Sequence, residues 1–475
     1  MNKFINGIQR LDNVTANEKS GKAYKSTLQP LLDLFGKIGV VNPDIIHYWE
    51  AAKATNKLKA YQILLWSRDI LNGAGLRANY INILNHESNP GLADLVLLSI
   101  AKGIGYWKDI LKLNFGADKF FSRWIIAIDS NDRLAAKWFP RKGKWFKLLT
   151  VHKSSARIAR KWLVSHSHTV EQQVCAKDFD SIKYEQVPSK AMKLHAKTFQ
   201  KFDGDRYGLF INKAVKGEVK VNAKALYPYE ILFSNNSWDV KTALWNNLPD
   251  FIDPSISYLP IIDCSGSMTS SYRNLVAPIK VAHSLGIYCA DRNKSVFEGK
   301  LLTFSRNPQW VDLKGHTLES KARLLTRYSE IANTNLSAVF KLILDTAVQY
   351  KVSQNELPNR LLVISDGQFD DMVNGTNYSN PTHYYRSPKA DDTLFVAWQK
   401  RFNEAGYNLP GIVFWNVANA ISMPFTTDER GITMVSGNSP SVMKFIGNPD
   451  PVKLLEEAIA IYEPIVKEVL GGNNA

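Results

Sequence analysis

From residue 258 to 268 the chain reads Tyr-Leu-Pro-Ile-Ile-Asp-Cys-Ser-Gly-Ser-Met. The spacing Asp263-x-Ser265-x-Ser267 sets one carboxylate and two hydroxyls on one loop, with Gly266 letting the backbone turn. Hard oxygen donors of this kind suit Mg²⁺ or Mn²⁺, which keep several waters. Two more donors of the same type follow downstream. Thr334 precedes an apolar run from Leu336 to Val348, and Asp366 closes the run Arg360–Ser365 in a Ser-Asp-Gly step. Asp263, Ser265, Ser267, Thr334 and Asp366 are therefore the candidate ligands of a single cation.

The elements needed to bring these residues together can be read from hydrophobic patterning. Candidate strands are Leu259–Asp263, Lys300–Phe304, Leu361–Ile364, Ile412–Trp415 and Ile432–Val435. Candidate helices are Leu275–Asp291, Leu318–Ile331, Leu336–Tyr350, Thr393–Ala405 and Val452–Leu470, the last kinked or restarted at Pro464. Strand–helix alternation predicts a doubly wound, mainly parallel sheet, which binds ligands at the carboxyl ends of its strands. All five candidate ligands fall at that end. The set resembles the metal-ion-dependent adhesion site of von Willebrand factor A domains. That resemblance implies three hydroxyls on the cation, two carboxylates balancing its charge partly through water, and one position open to an acidic partner protein. Gln368, Asp370 and Asp371, with residues 374–392, form a long polar insertion beside it.

Catalytic arrangements have less support. Hydrolysis would require a second metal about 4 Å away or a general base. No second carboxylate cluster is present in the sequence, and His283 falls in the middle of a predicted helix. The expectation is a binding site, with no enzymatic activity.

Charge divides the chain in two. Residues 1–250 hold 38 Lys and Arg against 22 Asp and Glu, whereas residues 251–475 hold 21 against 22. Residues 101–200 alone carry 20 against 8. Segregation of this kind predicts that the first half meets a polyanion. Three scattered cysteines, Cys175, Cys264 and Cys289, argue against a disulfide framework. No apolar run reaches the roughly 18 residues of a membrane span, and Met1–Gly7 lacks an apolar signal core. The expected location is the cytoplasm, with no membrane partner.

Residues 1–26 are polar and weakly patterned, and are expected to form an arm or a loose first helix. From Thr27 apolar residues recur at helical spacing: Leu28, Leu31, Leu32, Phe35 and Ile38, then Leu58, Tyr61, Leu64, Leu65 and Leu71. Residues 27–240 are predicted to be successive helical hairpins of a HEAT-like solenoid, and residues 255–475 the α/β domain. Asn72-Gly-Ala-Gly-Leu76 lies between two helices and reads as a turn, not as a phosphate loop. The basic stretch interleaves cations with aromatics around Trp124, Trp138, Trp145 and Trp162. Its candidate RNA contacts are Lys119, Arg123, Lys137, Arg141, Lys142, Lys144, Lys147, His152, Lys153, Arg157, Arg160 and Lys161. Cations would neutralise phosphates, and aromatic faces would stack on unpaired bases, whereas any single Trp or Phe reads better as the core side of a solvated helix face. His166 and His168 lack a third ligand at metal-binding spacing.

Four short segments carry a second resemblance. Trp66-Ser-Arg-Asp-Ile-Leu-Asn-Gly-Ala-Gly-Leu-Arg77 resembles the R-D-x-x-x-G-x-G-x-R segment of Ro (TROVE) proteins, and Gly105-Tyr-Trp-Lys-Asp-Ile-Leu111 their G-x-W-x-D-L-L segment. Lys183–Met192 and Val221–Glu230 resemble the uncharacterised Ro-like branch of plants, viruses and phages. Together with the metal-site motif, the likeness covers roughly residues 30–470. It implies a monomeric ring of helical repeats closed by a von Willebrand A domain, binding small structured RNAs and single-stranded RNA ends. Three functions follow. The first is a non-catalytic RNA chaperone or adaptor with a Mg²⁺-dependent site for an acidic partner. The second is an interaction or structural component, for instance of a viral or phage particle, without RNA selectivity. The third is a metal-dependent nuclease.

Overall fold

The computed structural model describes residues 12–16, 22–89, 91–270, 276–304, 307–328, 335–366, 394–418 and 431–471. Residues 1–11 lie outside the described residues, and Asp12 and Asn13 are helical. Val14–Ala16 (β1) and Lys22–Tyr24 (β2) pair antiparallel, and Asn13 ties the ribbon to Ser26 through two hydrogen bonds.

From Pro30 to Asn246 helix follows helix. The segment Ser189–Phe202 shows why. Met192, Ala196 and Phe199 recur at helical spacing and are buried, while Leu194, Lys197 and Lys201 lie outside. Polar caps start several helices: Asn56 accepts from Lys59 N, Asp132 from Leu134 N and Ala135 N, and Ser155 from Ile158 N. The Asn72–Leu76 segment is a helix–helix turn between Lys57–Arg68 and Arg77–His86. Leu28 and Leu71, expected on buried faces, are exposed. Leu28 precedes its helix at φ 67°, and Leu71 follows the end of its own, so neither shares the helical phase. The final helix of this region is Trp238–Asn246, and residues 247–257 contain no helix or strand.

The second region holds six strands: Tyr258–Asp263 (β3), Lys300–Phe304 (β4), Gln309–Asp312 (β5), Arg360–Ser365 (β6), Gly411–Asn416 (β7) and Ile432–Ser436 (β8). Their order in the sheet is β5-β4-β3-β6-β7-β8, parallel throughout except for the edge strand β5. Tyr258, Ile262, Leu362, Ile364, Val413, Trp415 and Val435 face one core, which includes the helix Pro278–Arg292. Gly286 allows that helix to approach, since a Cβ there would meet Ile262 Cδ1 at 2.2 Å. Alternate residues, among them Leu259, Ile261, Leu361, Val363, Ile412 and Phe414, face the second core with the helices Leu336–Gln349 and Leu394–Glu404.

Both ends of the helical region rest on this domain. The helix Pro30–Ile38 covers the edge strand β8; Ser436 Oγ donates to Phe35 O (3.1 Å) and accepts from Gly39 N (2.9 Å). At the other end Trp245 Nε1 donates to Asp291 Oδ2 (3.1 Å). The C-terminal helices Pro451–Ile459 and Glu463–Leu470 pack on Lys57–Arg68. Apolar burial runs unbroken from Leu32 to Leu470 across the two regions.

Candidate metal centre and basic surface

The chain moves from β3 to β4 on one side of the sheet and to β6 on the other, so a crevice opens at the carboxyl ends of β3 and β6. Asp263 ends β3, and its side chain is fully buried. Its Oδ1 accepts from Ser265 N (2.9 Å), and its Oδ2 accepts from Ser365 Oγ (2.6 Å). Ser265 Oγ and Ser267 Oγ lie 3.1 Å apart, close enough to share one small cation. The loop between them is pinned by Met268, which is buried, and by Cys264 N donating to Phe304 O (2.9 Å). Asp366 follows β6 and is also buried.

Burial, and then the negative charge of Asp366, push the Asp263 carboxyl well above the usual carboxylate range. Two carboxylates held in low dielectric resist ionising together, and a divalent cation between them removes the conflict. The residues present fit such an ion: two carboxylates and two adjacent hydroxyls, all oxygen. Among the described residues no group of three or more His, Cys, Asp and Glu forms a rival site. His283, 3.8 Å from Cys264 Sγ, is pushed down to about 4 by burial and stays neutral. Thr334 lies outside the described residues, as do Gln368, Asp370, Asp371 and residues 374–392. Asn335 caps the helix Leu336–Gln349 by accepting from Ala338 N. Ser365 was not among the expected site residues. Its signal was present in the sequence, a hydroxyl ending the strand beside β3.

The basic stretch divides by helical face. On Gly143–His152, Lys144, Lys147, Leu148, Val151 and His152 are exposed, while Trp145, Phe146 and Leu149 are buried. Lys119, Arg123, Arg141, Lys142, Arg157, Arg160 and Lys161 are also exposed. Lys137 is half-buried and paired with Glu171 (2.6 Å), Arg123 meets Asp94 (3.2 Å), and Lys153 sits 3.9 Å over the Trp162 ring. The individual aromatic residues follow the core reading more than the stacking one. Trp124 and Phe139 are fully enclosed, and Trp124 packs edge-on against Phe139 and Trp145. Trp138 and Trp162 are half-buried. The surface offers charge, and most of the aromatic rings serve the core.

The four short segments singled out in the sequence meet in pairs. Arg68 Nε donates to Asp109 Oδ2 (2.8 Å), Arg68 Nη2 to Oδ1 (3.2 Å), and Arg77 Nε pairs with Oδ1 (2.7 Å). Lys190 Nζ donates to Glu230 Oε1 (2.6 Å), and Asn222 Nδ2 donates to Val187 O (3.1 Å) and Glu185 O (2.9 Å). The two clasps are joined, since Tyr227 Oη donates to Ala74 O (3.4 Å). They also hold the second region: Tyr462 Oη donates to Asp69 Oδ2 (3.0 Å), and Ser441 Oγ to Gly73 O (2.9 Å). Gly75, at φ +68°, lies where a side chain would strike the Tyr227 hydroxyl. These motif residues are structural.

Two family models match the chain, each described as a domain of unknown function. DUF7788 spans residues 257–461, starting one residue before β3, and DUF2828 spans residues 151–248. An uncharacterised protein of Acanthamoeba polyphaga mimivirus, L728, is 23% identical over 523 aligned positions, covering 96% of this chain and 88% of that protein. Among solved structures, the crystal structure of the Deinococcus radiodurans RO (RSR) protein aligns at 12% identity with a TM-score of 0.44, over 88% of this chain and 99% of that one.

Proposed function

We propose that the protein is a non-catalytic, RNA-binding ribonucleoprotein component whose second region is a von Willebrand A-type docking domain. In this reading Asp263, Ser265, Ser267 and Asp366, with Thr334, hold Mg²⁺ or Mn²⁺. The ion supplies an open coordination position for a carboxylate of an acidic partner. The protein's own residues do the rest: Ser365 orients Asp263, and Met268 anchors the serine loop. The observation that carries the reading is the crevice itself, where two buried carboxylates and a pair of hydroxyls 3.1 Å apart gather at the switch point of the sheet. The strand order with one antiparallel edge supports the domain type. Docking of both ends of the helical region on one domain supports a closed, Ro-like arrangement.

The RNA half of the reading rests on the exposed cations of residues 119–161 and on the likeness of the four segments to Ro proteins. A second reading, neutralisation of nucleic acid without selection of RNA, is favoured by the burial of Trp124, Phe139 and Trp145, which leaves phosphate as the main target. Purification of the full chain at low salt, followed by sequencing of nuclease-protected nucleic acid, separates the two. Enriched small structured or 3′-ended RNAs support the first. Protection of DNA and RNA alike supports the second, and bare protein that ignores added RNA sinks both.

A further inference from the structure

Beyond Asp263 and Ser365, the carboxyl edge of the sheet continues in polar residues. Ser365 pairs in register with Asn416 of β7, and Asn416 with Ser436 of β8. All four lie on one face of the sheet, because Leu259 and Ile261, Leu361 and Val363, Ile412 and Phe414, and Ile432 and Met434 precede them by even steps in the same core. All four are buried, Asn416 with 1% of its surface exposed. Three have their polar atoms occupied: Asp263 by Ser265 and Ser365, Ser365 by Asp263, and Ser436 by Phe35 and Gly39.

Asn416 differs. Its Oδ1 accepts from Ala418 N (3.1 Å), which leaves Nδ2 as the free end of the amide. That Nδ2 is buried and has no hydrogen-bond partner among the described residues. A buried donor left without a partner is destabilising, so its presence calls for a group that occupies it in some state of the protein. The amide lies one strand, about 5 Å, beyond Ser365 on the side of the crevice away from β4. A carboxylate has two oxygens. If one completes the cation's shell, the other needs a neutral donor, since a cationic one would compete with the metal.

Resting on the cation reading above, we propose that Asn416 is a specificity-determining residue of the crevice, its Nδ2 donating to the second oxygen of the carboxylate that binds the metal. Acetate is the minimal probe. Melting temperatures of the full chain would be measured with Mg²⁺ alone, and with Mg²⁺ plus acetate titrated against chloride at constant ionic strength. The wild-type protein should rise with Mg²⁺ and rise again with acetate. Asn416→Leu, similar in volume, should keep the Mg²⁺ rise and lose the acetate increment, its apparent acetate affinity falling about tenfold. Asn416→Asp, which retains the acceptor for Ala418, should lose it too. An acetate increment undiminished in both variants overturns the role of Asn416 and leaves the cation site standing. A wild-type protein indifferent to Mg²⁺ overturns the cation site, and this proposal with it.

Discussion

The helical region turns its charges outward, whereas the α/β region gathers its critical polar groups inward. On Gly143–His152, cations line the exposed face and aromatic residues the buried one. Such a surface acts through summed charge, tolerates loss of any single lysine, and responds to salt. In the α/β region the net charge is close to zero, yet Asp263, Ser365, Asp366 and Asn416 are almost wholly enclosed at one edge of the sheet. There each atom has a fixed position, and single substitutions have discrete effects. In the proposed reading the same chain pairs a diffuse electrostatic surface, suited to a long polyanion, with a coordination site suited to a single acidic group.

The clasp inside the helical region gives the largest expected effect. Arg68 and Asp109 are both buried, and removal of Asp109 leaves the Arg68 guanidinium without its carboxylate in the core. Asp109→Ala should destabilise the protein by about 3–5 kcal/mol. Urea denaturation measures this, and a loss below about 1 kcal/mol would mean that water already reaches the clasp. The next effect tests the coordination site. If the proposed cation site holds, Asp263→Ala should weaken Mg²⁺ binding by about 10–100-fold in calorimetry, because it removes one of the two carboxylates that balance the ion's charge. RNA affinity should change less than about twofold, so a parallel loss of both would erase the contrast between the regions. Third, joint reversal of Arg141, Lys142 and Lys144 to glutamate should weaken RNA binding about 10–100-fold at low salt. It should also make the log–log salt slope shallower by about two to three. Unchanged slope would place the nucleic acid elsewhere.

How far these features were legible depended on burial pattern. The parallel strands were readable to within a residue at either end because both of their faces are apolar. β5 was missed: Gln309–Asp312 is short, and all but Val311 of it is exposed, so no apolar run marks it. Pro464 was expected to break the last helix, and it stands in the first turn of Glu463–Leu470, after a 3₁₀ turn at Ala460–Tyr462. Any single Trp or Phe of the basic stretch reads better as core than as a base-stacking platform, and Trp124, Phe139 and Trp145 are buried. The helical phase that separates Lys144, Lys147 and Val151 from Trp145, Phe146 and Leu149 was available in the sequence. The clasp between Arg68, Arg77 and Asp109 was not, since residues about 40 positions apart meet only through tertiary packing.

The smallest effect bears on whether the two regions are separate bodies at all. Tyr462 belongs to the α/β region, and its hydroxyl donates to Asp69 in the turn that Arg68 and Arg77 bracket. Tyr462→Phe removes only that hydroxyl. Asp69 Oδ2 keeps the Asn72 side chain (3.2 Å), and Oδ1 keeps Leu71 N and Asn72 N. The carboxylate therefore remains satisfied, and the expected loss is about 1 kcal/mol. Because apolar burial is continuous across the boundary, calorimetry should show one transition shifted down by about 1 °C. Two resolved transitions in the variant would show that this hydroxyl, and not the shared core, couples the regions. The helical and α/β regions would then be independent folding units joined by a polar latch.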